Sequence, residues 1–102
     1  MNIRDAIIKI ERERDYLGAA CIIIEEIIRE KDLKISKRKK DRKTMELAKI
    51  LEERHDKLRT IDSGLRPNEI VDKVCTEGVM DAMELLHLPN EDVNLSEWLK
   101  DD

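Results

Sequence analysis

Ile3, Ile7, Ile10, Leu17, Cys21, Ile24, Ile28 and Ile35 recur at alternating steps of four and three residues, the spacing that keeps one stripe of an α-helix apolar. Arg14 and Lys31 take the two remaining places in that stripe, and no Pro interrupts it. The pattern predicts one helix over residues 3–35, about 50 Å long at 1.5 Å per residue. Leu47, Leu51, Leu58, Ile61 and Leu65 repeat the spacing, with Arg54 in the gap. Two such stripes joined by a short polar stretch predict a long antiparallel helical hairpin.

The connecting stretch, Ser36 to Thr44, holds no apolar anchor and is too charged to bury, which predicts the turn there. Counting from a turn near Lys39 and Lys40 sets Leu58 opposite Cys21 and Arg54 opposite Glu25, and leaves Ile3 to Glu13 overhanging. Asp62, Ser63 and Gly64 supply a stop for the second helix, with Gly64 as its cap, and Pro67 suits the first turn of a third. That third helix, roughly Asn68 to Leu88, separates Asp72, Lys73, Thr76, Glu77, Asp81 and Glu84 from Val71, Val74, Cys75, Gly78, Ala82, Leu85 and Leu86. Gly78 marks either a close helix crossing or a break. Beyond Pro89, Asn94 or Ser96 suits the cap of a short helical turn carrying Leu95, Trp98 and Leu99. The predicted fold is thus all-α, with residues 1–88 as one bundle domain and 89–102 as an acidic C-terminal segment.

Composition makes the core thin. Of 102 residues 43% are charged, Phe is absent, and Tyr16 and Trp98 are the aromatics, so Ile, Leu, Val and Met must supply nearly all the burial. Two Cys with no clustered His suggest neither disulfides nor a metal as reinforcement, which leaves self-association. The over-apolar middle of the first helix is where a dimer interface is expected, at Gly18, Ala19, Ile22, Ile23 and Ile27; the alternative is that a covering helix buries this face within one chain. There is no leader-like start, and the longest apolar or small run, Leu17 to Ile24, is eight residues against the roughly 20 of a membrane span, so a cytoplasmic protein with reduced thiols is expected.

Charge is segregated within a net of −4: residues 36–60 carry ten bases and five acids, residues 61–102 three and eleven. Lys37, Arg38, Lys39, Lys40, Arg42 and Lys43 form a candidate phosphate grip for nucleic acid, although the aromatics that would stack bases lie far off in sequence. Asp81, Glu84, Glu91, Asp92, Glu97 and Trp98 form a candidate acidic surface for a basic protein partner, such as a nucleic-acid-binding protein. His55 and His87 have no second ligand at a metal-binding spacing, and Cys21 and Cys75 read as buried thiols. No catalytic residue, metal or cofactor is predicted.

Glu25, Glu26 and Glu30, followed by Glu53 and Asp56 on the next helix, are similar to the carboxylate pattern of the all-α nucleotide pyrophosphohydrolases. In that family two antiparallel helices hold Mg²⁺ against a nucleotide's phosphates. The resemblance spans residues 25–56, and Arg29 stands where the pattern has its third Glu. With the apolar stripes defining the inside, Glu26, Glu30, Glu53 and Asp56 fall on outer faces. The residues therefore favour a non-enzymatic interaction or regulatory protein, an adaptor or inhibitor acting through a dimeric bundle and an acidic partner surface; nucleic-acid binding is the second reading and the Mg²⁺-dependent hydrolase the third.

Overall fold

The computed structural model describes residues 3–61 and 64–88, and these fold into four helices with no strand: α1 (Arg4–Glu13), α2 (Tyr16–Glu30), α3 (Lys37–Thr60) and α4 (Pro67–Leu85). The all-helical expectation holds. The single first helix does not, because it breaks at Arg14 and Asp15. Arg14 adopts the left-handed conformation, φ 51°, and its N–H and that of Asp15 turn back to the carbonyls of Ile10 and Lys9. Asp15 then caps α2, its carboxylate accepting from the Gly18 N–H at 2.9 Å. A continuous helix would have held a guanidinium in the apolar stripe. The break leaves Arg14 exposed and folds α1 back onto α2 and α4.

The second departure is the turn. Ser36 caps α3, its Oγ accepting from the Lys39 N–H at 3.2 Å, so Lys37 to Lys43 form the first two turns of a helix. The chain reverses over 31–36, where Asp32 takes φ 50°. This moves the pairing of α2 and α3. Lys40 Nζ meets Glu25 at 2.8 Å and the Tyr16 hydroxyl meets His55, so the two helices lie side by side in opposite directions with Glu25 beside Lys40, not Arg54. α1 then has no overhang needing a second chain, since Ile3, Ala6 and Ile10 are fully buried within this one.

α3 ends at Thr60, before Gly64, which has φ 72° in the link to α4. Ile61, expected in the stripe, is 50% exposed. α4 begins on Pro67, as predicted, and buries Val71, Val74, Cys75, Gly78 and Ala82 together with Ile70, Val79 and Met83. Gly78 marks a close crossing: a Cβ there would lie 2.6 Å from Leu51 Cδ2 and 3.6 Å from Ile23 Cδ1. The core under this crossing is Ile23, Ile24, Ile27, Leu47, Leu51, Val74 and Val79. The predicted turn carrying Leu95, Trp98 and Leu99 lies outside the described residues.

Candidate interaction groove

α2 buries Ala19, Ala20, Ile23, Ile24 and Ile27, a stripe re-phased by the break before it. Three of the five expected dimer-interface residues, Ala19, Ile23 and Ile27, are therefore sealed inside the chain under α3 and α4. Gly18 and Ile22 remain half-buried. Gly18 is small for a local reason: a Cβ there would collide with the capping carboxylate of Asp15. Leu17, expected in the inner stripe, instead points outward and is 55% exposed.

Leu17 forms one wall of a groove whose other wall is α3. Tyr16 and Leu17 from α2 and Met45 and Ala48 from α3 line it, and its cavity is about 620 Å³. Met45 is 65% exposed, the most of any large apolar side chain described. Around this apolar centre stand Arg14, Arg42 and Lys49 and, interspersed with them, Asp15, Glu46 and Glu52. Both signs at the rim suit a protein surface better than a simple anion.

Tyr16 is fixed from below. Its hydroxyl is hydrogen-bonded to Nδ1 of His55 at 2.6 Å, and the rings meet edge-on with centroids 5.7 Å apart. Burial, then the charge of Asp56, holds the Tyr16 hydroxyl above its ordinary range. Burial, then the Arg59 guanidinium, pushes the His55 imidazole below its own. Both shifts favour the uncharged forms, a phenol beside a neutral imidazole, and the ring tautomer sets which of the two donates. His55 also lines a second, smaller cavity of about 340 Å³ with Ile10, Arg14, Arg59, Leu65 and Val71 among its walls.

The other candidate residues are placed as follows. Lys37, Arg38, Lys39 and Arg42 are exposed on the first turns of α3, while Lys40 pairs with Glu25 and Lys43 lies 3.7 Å from Glu46. Glu25 is held below the usual carboxylate range by its hydrogen bond from Lys40. Glu26 pairs with Arg29, the residue at the third-Glu place, and Asp56 lies 3.7 Å from Arg59. Among the described residues no group of three or more His, Cys, Asp or Glu is placed to hold a metal ion, so the five carboxylates that resemble the hydrolase pattern do not converge. Cys75 is buried, and burial pushes its thiol up to about 12; Cys21 is raised by burial and by Glu25, so neither is poised as a thiolate.

In the acidic surface, Asp81 is bound by Arg54, which also reaches Glu77 at 3.1 Å, so two of the acids of α4 are matched inside the fold. Glu84 is exposed, and Glu91, Asp92, Glu97 and Trp98 lie outside the described residues. No described helix is long and apolar enough to cross a membrane. Comparison with protein-family models, curated proteins and solved structures finds no match.

Leu17 and Met45 are the residues that the stripe pattern does not reveal. The available signal was Asp15 ahead of an apolar run, which reads as a helix cap and re-phases everything after it.

Proposed function

We propose that this protein acts without catalysis, as a small helical interaction protein of the adaptor or inhibitor kind, and that it meets its partner in the groove between α2 and α3. The observation that carries this reading is the exposure of Leu17 and Met45, 55% and 65%, on either side of one concave apolar surface. A chain with so little apolar material gains nothing for its own core by leaving both in water. The walls are two helices held together by buried Ile and Leu, so the surface is pre-formed. The acidic surface contributes less, because Arg54 already matches Glu77 and Asp81.

The test is a photo-crosslinking residue placed at Met45 in the protein expressed in its own host, with the same residue at exposed Lys57 as control. The Met45 position should give a discrete protein adduct, weakened by Leu17→Glu, and the Lys57 position should not. Absence of an adduct from Met45, or identical adducts from both positions, would discard the reading.

A second reading rests on the helical display of Lys37, Arg38, Lys39 and Arg42, since a helix-borne basic patch suits duplex nucleic acid. Here binding should weaken steeply with salt, and Lys37→Gln with Arg38→Gln and Lys39→Gln should flatten that dependence. No binding of RNA or DNA at low salt sinks it.

A further inference from the structure

We infer that the groove is occupied by a second copy of this chain, packed with its α3 antiparallel to the first about a twofold axis beside Met45. This rests on the groove being the interaction surface and adds the identity of the occupant. Arg38, Arg42, Met45, Lys49, Glu52 and Asp56 are all exposed, and they follow one another at steps of four, three, four, three and four residues along α3. That is the spacing of a coiled-coil seam, on the side of the helix opposite the buried Leu47 and Leu51.

The order of charge along the seam says which helix it accepts. Its first half is basic, through Arg38 and Arg42, and its last positions, Glu52 and Asp56, are acidic. In an antiparallel pair of α3 helices a single register sets Arg38 against Asp56 of the other copy, Arg42 against Glu52, and Met45 against the methylene stem of Lys49. Each contact occurs twice by symmetry. A parallel pair would set like charge against like at every one of these places except Met45. A foreign helix would need its own sequence to mirror this order, whereas a second copy carries it already. Leu17 borders the seam through the shared groove and adds apolar area at its centre. Asp56 lies 3.7 Å from the exposed Arg59, a weak competitor for the pairing.

The test is sedimentation of the purified full chain. The wild type should dimerise reversibly, less at high salt. Arg42→Glu and Glu52→Arg, each alone, should weaken dimerisation about tenfold or more, because each turns two attractions into two repulsions. An equimolar mixture of the two single variants should dimerise again, since every contact between unlike chains is then attractive. Circular dichroism should show equal helix content throughout. A wild type monomeric at all concentrations, single variants that dimerise undiminished, or a mixture that stays monomeric would overturn the inference. If it falls while Met45 still crosslinks a different protein, the groove reading stands without it; if Met45 crosslinks nothing, both fall.

Discussion

Asp15 and Gly18 decide together where α2 starts. The carboxylate accepts the Gly18 N–H, and a methyl group on residue 18 would occupy the space the carboxylate needs. Gly to Ala inside a helix ordinarily gains about 1 kcal/mol, and loss of an Asp cap costs about the same. Gly18→Ala should therefore bring no gain in urea-unfolding free energy in the native background, yet stabilise by about 1 kcal/mol once Asp15 is Ala. His55 makes a second residue-level statement. Its imidazole is pushed below the ordinary 6.5 by burial first and by Arg59 second. The unfolded chain then takes up the proton more readily than the folded one, so stability is fully present above about 6.5 and declines as pH falls through the depressed value. His55→Gln should flatten the stability profile just below 6.5, and leave intact any loss at lower pH from Glu25, whose depressed value lies below 4.5.

Between elements, the α3 to α4 contact combines a steric fit with an ion pair. Gly78 lets Leu51 close on α4, and one helical turn away Arg54 bridges Glu77 and Asp81. Arg54 Nη1 and Asp81 Oδ2 are both buried and meet each other. Arg54→Ala would leave that carboxylate oxygen without its partner, which should cost about 1–3 kcal/mol by urea unfolding, while Arg54→Met combined with Asp81→Leu should recover most of it. The face of α4 was legible because Val71, Val74, Cys75, Gly78 and Ala82 repeat without a charged intruder. The first stripe misleads at Arg14, because a four-and-three spacing runs on across a break, and only the local cap chemistry of Asp15 distinguishes one helix from two. Charge density at 37–43 likewise suggested a turn, while the Ser36 cap starts a helix there. The groove was the least legible part. Which apolar side chains stay uncovered depends on how three helices pack around α2, and Leu17 and Met45 look no different in sequence from buried neighbours.

At the level of the whole molecule, the core closes within one chain, so folding does not require a second copy. Ile23 is fully buried between α2, α3 and α4, whereas Leu17, two turns earlier on the same helix, is half in water. Ile23→Glu should lose the helical signal altogether, a loss of more than about 4 kcal/mol, while Leu17→Glu should keep it. The joint at Arg14 and Asp15 has a consequence in time as well. α1 is ten residues long and joins α2 through the left-handed Arg14; the Asp15 carboxylate that caps α2 accepts from Gly18 of α2, while the Asp15 N–H holds the Lys9 carbonyl of α1. α1 should come away before the other three helices, which share the larger part of the buried core. Hydrogen exchange under native conditions should show the amides of Ile7 to Glu13 exchanging through an opening smaller than global unfolding, and those of Leu47 to His55 only through the global event. Such an opening would expose Ile3, Ala6 and Ile10, fully buried in the packed form, together with the cavity that Ile10 shares with His55, and would make α1 the place where a protease gains entry first.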